Sequence, residues 1–231
     1  NTILTRSYDF IMHEKSLLEH DFMGEKEDCE NKFLVIGELV ALVYCESIQN
    51  QLITEIYPLI ERIKIALSDC KISTIAIDIV EMTEKNKLEE CVDTFENIIL
   101  TKNKKLYSSV FTGIQCLVFM KENYNQDVSF EKFFSSIKYL DIEYSKTLWI
   151  HLTPLLRQPF FATEKAQRYI ALSINKCIDI YENLADQGER YYLDGLYNCV
   201  EALHQYYKSV KTTGTGETDE LKQCVEKARK I

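Results

Sequence analysis

Arg6 and His13 are the residues near the start of the chain whose types and spacing could support catalysis. A helix would place them two turns apart, and some helical RNA-cleaving domains use an arginine and a histidine at about this distance. In such a site the arginine stabilises phosphate charge and the histidine transfers a proton. A helical ribonuclease built on this pair is therefore one hypothesis. A solvated arginine and a surface histidine explain the same residues, and we predict that the protein is not an enzyme.

The other residues that carry chemistry are scattered along the chain. His151 and His204 stand alone, and the H-E-x-x-H spacing of zinc sites is absent. The eight cysteines are single, and several lie in apolar segments, where a thiol behaves as a small hydrophobic group. We therefore predict no catalytic residues, no metal, no cofactor and no disulfide framework, in a chain that resides in the reducing cytoplasm.

Composition favours a helical fold and a protein partner. Hydrophobic residues make up 46% of the 231 residues, which is enough for a sizeable core. Glycine and proline number seven and three, too few for the turns of an all-β fold. The net charge of −9 argues against nucleic acid or an anionic membrane as the partner. No apolar run reaches the roughly 20 residues needed to cross a bilayer.

Apolar residues recur at three- and four-residue steps along almost the whole chain, which predicts eight to ten α-helices. The β-branched run at 75–80 is the one stretch that could be argued to be a strand. Polar loops are predicted at 24–28 and 123–127. Residues 1–210 then form a single all-α domain, and residues 211–231 form a flexible connector and a C-terminal tail or helix. The predicted helices span about 2–22, 31–67 with a kink at Pro58, 72–85, 87–101, 105–123, 129–144, 146–161, 163–186 and 189–210.

Antiparallel helices joined by short loops must bury their apolar faces on neighbours, which gives two candidate architectures. One is a superhelical bundle in the form of a cup. The other is an irregular HEAT- or armadillo-like α-solenoid, which would act as a protein-interaction platform. Aromatic pairs such as Phe160-Phe161 and Tyr206-Tyr207 could line a peptide groove in either one, and filling gaps between helices explains them as well.

Four stretches together resemble the 14-3-3 proteins, which are helical adaptors of about this length. Residues 44–52 read YCESIQNQL and are similar to the family's Y-R-E-K-I-E-T-E-L, while residues 3–8 read ILTRSY and look like its L-L-S-V-A-Y. Residues 163–166 read TEKA and resemble its S-P-E-K-A, and residues 192–195 read YLDG and resemble its Y-K-D-S. The resemblance touches most of the chain.

This resemblance implies an all-α superhelical cup and a non-enzymatic adaptor or scaffold in cytoplasmic signalling. Such a protein holds peptide segments of partner proteins, phosphorylated or not, in a concave groove. It implies no nucleic-acid partner and no membrane partner. The family also forms homodimers, so a homodimer is one of the implied states.

The groups with which the family binds phosphoserine or phosphothreonine are largely replaced. The family's lysine falls at Asp9, one of its arginines falls at Ser16, and its arginine–tyrosine pair falls at Leu117 and Val118. Guanidinium groups suit a phosphate because they form paired, charge-assisted hydrogen bonds. We therefore expect this groove to bind phosphate poorly and to bind peptides that carry no phosphate.

Three polar residues are the candidates for the peptide groove that the resemblance implies. Lys15 adjoins the position of the family's arginine on the first groove helix. His151 and Gln205 fall where the family has asparagines. We expect Lys15, His151 and Gln205 to contact a bound peptide.

Overall fold

The structure, a computed structural model, describes residues 2–18, 26–68, 71–120, 129–140, 142–186 and 192–231. Within these ranges the chain forms eleven α-helices and no strand, so the predicted all-α class is confirmed. The β-branched run at 75–80 is helical and belongs to α4. The helices are α1 (Thr2–Leu18), α2 (Lys26–Gln49), α3 (Ile53–Leu67), α4 (Ile75–Glu84), α5 (Leu88–Leu100), α6 (Tyr107–Phe119), α7 (Glu131–Ser136), α8 (Ile142–Leu156), α9 (Glu164–Asp186), α10 (Leu193–Thr213) and α11 (Asp219–Ala228).

The long second helix of the sequence prediction is in fact two helices, α2 and α3, and the break does not lie at Pro58. Gln51 adopts a left-handed conformation with φ of 58°. The Leu52 N–H donates to the Ser47 carbonyl at 2.9 Å, and the Gln51 N–H donates to the Ile48 carbonyl at 3.2 Å. These two bonds form a Schellman cap, which ends α2 before Pro58 is reached. Pro58 lies inside α3.

The remaining helices differ from the predicted ones at their ends. Helix α8 runs from Ile142 to Leu156, whereas the prediction had placed it at 146–161. Of the two predicted polar loops, the one at 24–28 overlaps the start of α2, and the one at 123–127 lies outside the described residues.

Contacts within the chain group it into two compact units, where the sequence led us to expect one domain over 1–210. The N-terminal unit comprises Asn1–Lys87 and Ser108–Asn123, and the C-terminal unit comprises Leu88–Tyr107 and Tyr124–Ile231.

Helix α2 is the common neighbour in the N-terminal unit, because it packs on α1, α3 and α4. Helix α6 runs parallel to α2. The Ser109 hydroxyl donates to Glu38 at 3.1 Å, and seven residues further along both helices the Cys45 thiol donates to the Cys116 carbonyl at 3.6 Å. The core of this unit is mainly aliphatic and includes Leu4, Ile11, Val40, Ala41, Ile60, Ile63, Ile77 and Val80.

The C-terminal unit has an aromatic core instead. Phe134 lies among the rings of Trp149, Phe161 and Tyr169, with centroids 5.7 to 6.5 Å away. Tyr206 is also buried, and its hydroxyl donates to the Phe161 carbonyl at 2.7 Å. Phe161 and Tyr206 therefore fill space between helices and do not line a groove.

The C-terminal helix α11 is fixed to α9, so the segment predicted as a flexible connector is helical at both ends. Helix α10 continues to Thr213, and α11 begins at Asp219. Between them, the Gln167 amide nitrogen donates to the Gly216 carbonyl at 2.9 Å, and the Gln167 amide oxygen accepts the Thr218 N–H at 2.9 Å. Further along, Lys227 pairs with Asp179 of α9.

A charged network joins α3 to α4 in the N-terminal unit. Lys64 pairs with Glu81 and, at 3.0 Å, with Asp78, while Lys85 also pairs with Glu81. Burial alone would raise the pKa of Glu81, but the hydrogen bonds from Lys64 and Lys85 outweigh it, so the pKa of Glu81 lies below its ordinary value of 4.5. The ionised Glu81 therefore stabilises the folded state.

We expect Glu81→Gln to lower the free energy of unfolding at pH 7 by about 1–2 kcal/mol, between the values of exposed and buried pairs. A group whose folded pKa is depressed contributes stability above its unfolded pKa and loses it as the pH falls through the folded pKa. The difference between wild type and variant should therefore be full above about pH 5 and shrink below about pH 4, given the ordinary pKa of 4.5. Urea titrations at pH 7, 5, 4 and 3 measure it, and a difference that stays constant with pH would contradict the assignment.

Candidate functional site

Helices α8 and α10 of the C-terminal unit lie side by side and run in the same direction. The Asn198 side chain donates to the Lys146 carbonyl at 3.1 Å, near the start of both helices. At the other end, the Ser209 hydroxyl donates to the Arg157 carbonyl at 3.2 Å. Residue numbers rise together along the two helices, so the contact is a parallel one.

A chain of three polar side chains lies along this contact. The Arg157 guanidinium donates to the Gln205 amide oxygen at 2.9 Å, and the Gln205 amide nitrogen donates to the Glu201 carboxylate at 2.7 Å. Gln205 thus holds a cation on one side and an anion on the other. Arg157 is exposed and Glu201 is half-buried, so both charged groups can be reached from solvent.

Apolar side chains accompany these polar groups. Ile150 follows Lys146 by four residues, which places it on the same face of α8 as Lys146. Its side chain is 56% exposed. Tyr197, one turn before Glu201 on α10, is 68% exposed. We call the group of Ile150, Arg157, Tyr197, Glu201 and Gln205 the α8–α10 seam.

The structure brings Gln205 into this seam but places His151 beside it. His151 is turned about 100° from Ile150 around the axis of α8. It is half-buried, and burial lowers the pKa of His151 below its ordinary value of 6.5. The imidazole is therefore neutral at pH 7 and could offer a hydrogen bond but no charge.

Lys15 belongs to the N-terminal unit, unlike the other two predicted residues. It lies in the last turn of α1 and is half-buried. The positively charged residue of the seam is therefore Arg157 and not Lys15.

The four positions matched to the family's cationic and tyrosine phosphate ligands hold no cation. Asp9 and Ser16 are exposed on α1, Leu117 is buried on α6, and Val118 is half-buried beside it. A carboxylate repels phosphate, and two aliphatic side chains offer it no hydrogen bond.

Arg157 and Glu201 are seam residues that the sequence alone does not single out. One signal in the sequence could have found part of the row: Asn198, Glu201, Gln205 and Ser209 recur at three- and four-residue steps along α10. A polar row at helical spacing marks a face that meets water or other polar groups.

The other residues that could support chemistry are not members of the seam. Arg6 and His13 are both exposed on α1, about 10 Å apart along the helix axis. His204 lines a groove of about 200 Å³ between α10 and α11, together with Tyr207 and Arg229. Across the part of the chain that the structure describes, no three His, Cys, Asp or Glu side chains are grouped so as to hold a metal ion.

Comparisons of this chain with protein-family models, with curated proteins and with solved structures found no match. Among the helices in the described ranges, none combines the length and the apolar character that a membrane span needs.

Proposed function

We propose that this protein is a non-enzymatic adaptor that binds peptide segments of partner proteins along the α8–α10 seam. The observation that carries the proposal is the arrangement around Gln205, which stands between Arg157 and Glu201 at hydrogen-bond distance from both. The exposed Ile150 of α8 and Tyr197 of α10 add apolar surface along the same two helices. A mixture of apolar contact area and a few fixed polar groups is what peptide-binding surfaces provide.

Gln205 can still bind the backbone of a peptide while it holds both neighbours. Its amide nitrogen carries two hydrogens, one of which goes to Glu201, and its amide oxygen accepts two bonds, one of which comes from Arg157. The second hydrogen and the second lone pair suit a peptide carbonyl and a peptide N–H. Gln205 would thus recognise an extended backbone, and Ile150 and Tyr197 would take its side chains.

Binding of this kind does not require phosphate. The guanidinium of Arg157 is linked through Gln205 to the carboxylate of Glu201, so a phosphate at Arg157 would also meet a like charge. The positions of the family's phosphate ligands are occupied by Asp9, Leu117 and Val118. The proposal is therefore a 14-3-3-like adaptor whose peptide binding is independent of phosphorylation.

The same proposal includes protein partners in the cytoplasm. The net charge of −9 disfavours nucleic acid and anionic membranes. The six cysteines whose side chains the structure describes are buried and are not joined in disulfides, which suits a reducing compartment.

Substitutions in the seam should weaken peptide binding. Fluorescence polarisation with a degenerate, unphosphorylated Arg-Ser/Thr-x-Pro peptide pool measures it. We expect Gln205→Ala and Ile150→Asp each to raise the Kd by about tenfold or more, as loss of a central contact does.

Matched controls lie on neighbouring helices. Gln223→Ala on α11 and Leu172→Asp on α9 remove the same groups from exposed positions outside the seam, and both should leave the Kd unchanged. Equal effects of the seam variants and the controls would refute the placement of the peptide.

A further inference from the structure

Helix α2 carries a row of exposed apolar side chains on the side away from its core contacts. Val35, Leu39 and Leu42 are 63%, 40% and 38% exposed. Their spacing of four and three residues places them on one face, and we call this row the α2 stripe. On the opposite side of α2, Val40 and Tyr44 are buried in the core of the N-terminal unit.

The α2 stripe extends beyond the helix through a neighbouring side chain. The Gln49 side chain, two turns past Leu42 on α2, donates to the carbonyl of Phe119 at the end of α6. The Phe119 ring is itself exposed. Exposed apolar side chains at helical spacing, enlarged by an aromatic ring, are the surface with which a helix packs against another helix.

Two opposite charges flank the α2 stripe at equal distances from its centre. Lys32 lies seven residues before Leu39, and Glu46 lies seven residues after it, so both are on the face of the stripe. Lys32 also pairs with Glu14 of α1 at 3.1 Å, and its side chain keeps 42% of its surface exposed. Glu46 is exposed.

From this symmetry we propose that the α2 stripe binds a second copy of this chain, with the two α2 helices antiparallel and crossing at Leu39. A two-fold axis at Leu39 places residues equally far before and after it opposite each other. Lys32 of one copy, seven residues before the axis, then meets Glu46 of the other, seven residues after it. Val35, four residues before the axis, lies within one residue of the position opposite Leu42, which is three residues after it, so their side chains pack near each other. Both ends of the interface gain an ion pair, because a two-fold axis repeats each contact.

A parallel arrangement lacks this complementarity. In parallel register, Lys32 would face Lys32 and Glu46 would face Glu46, and like charges brought together oppose binding. The three apolar and two charged residues of this surface are fewer than the roughly 20–30 residues per partner of a standard stable interface. The dimer should therefore be weak and depend on protein concentration.

Sedimentation velocity of the full chain at protein concentrations up to about 1 mM tests this interface. Wild type should shift from monomer to dimer over that range, and Leu39→Asp should remain monomeric. Ile65→Asp, at an exposed apolar position of α3, is the matched control and should dimerise as wild type does. A monomeric wild type, or dimers in Leu39→Asp, would overturn the proposal.

Charge reversal tests the antiparallel register itself. Lys32→Glu alone and Glu46→Lys alone each produce two like-charge contacts, so each variant should dimerise more than about tenfold more weakly than wild type. An equimolar mixture of the two variants restores both ion pairs, and heterodimers should form with about the wild-type Kd. A mixture no better than the separate variants would reject this register, and circular dichroism of each variant checks that the Lys32–Glu14 contact is not needed for folding.

Discussion

Gly37→Ala is expected to lower the free energy of unfolding by about 3 kcal/mol or more, at the upper end of the cost of overpacking a core. A Cβ atom on Gly37 would overlap the carbonyl oxygen of Ser73 and lie 2.9 Å from its carbonyl carbon. Both obstacles are backbone atoms, so no rotamer change can relieve them. Helix α2 would have to move away from the 3₁₀ turn Lys71–Thr74, against which it packs.

The sign of this effect is diagnostic, because alanine in place of an interior helical glycine otherwise stabilises by about 1 kcal/mol. Urea unfolding followed by circular dichroism measures it. Gly216→Ala is the control, since a Cβ there meets nothing within 4 Å, and its stability should change little. A Gly37→Ala variant as stable as wild type would mean that α2 does not approach the Lys71–Thr74 turn this closely.

Gln167→Leu is expected to cost about 3–5 kcal/mol, because it leaves two backbone groups of buried residues, at Ala162 and Thr218, without this partner at about 1–3 kcal/mol each. Gln167 is fully buried, and its side chain bonds the carbonyls of Ala162 and Gly216 and the N–H of Thr218. Leucine has a similar volume but can make none of these three bonds. The loss should therefore release the segment that connects α10 to α11.

Hydrogen exchange of the α11 amides, together with urea unfolding, tests this expectation. Exchange in α11 should accelerate in Gln167→Leu more than exchange in α8. Gln223→Leu makes the same substitution at an exposed position of α11 and should change neither quantity by much. Unchanged protection of α11 in Gln167→Leu would show that its packing on α9 is sufficient without the glutamine.

That the segments are α-helical could be predicted from this sequence more readily than where each helix ends. Apolar residues recur at helical steps in every segment, and α9 also has a capping signal, because the Thr163 hydroxyl accepts the Ala166 N–H. Helix ends are usually marked by glycine, but Gln51, Asn86 and Lys102 occupy the left-handed positions after α2, α4 and α5. Only Asn86 is a residue type that commonly takes this conformation.

Gln205 is a candidate through the family resemblance. The residues that lie next to it in space could not be predicted in this way. Arg157 lies 48 positions away along the chain and meets Gln205 only because α8 and α10 pack in parallel. Lys15 and Gln205 are predicted together, yet they belong to different compact units. The spacing of polar residues within α10 thus indicates which face of that helix is polar. Which residues of other helices contact that face depends on tertiary packing.

The most direct test of the proposed function compares the Kd of wild type for phosphorylated and unphosphorylated forms of one Arg-Ser/Thr-x-Pro peptide pool, at two salt concentrations. Fluorescence polarisation should detect binding of both pools with Kd values within about tenfold of each other, which corresponds to less than about 1.4 kcal/mol. A preference for the phosphorylated pool beyond tenfold would contradict a seam that binds without phosphate. Absence of binding by both pools would contradict the peptide-binding role itself.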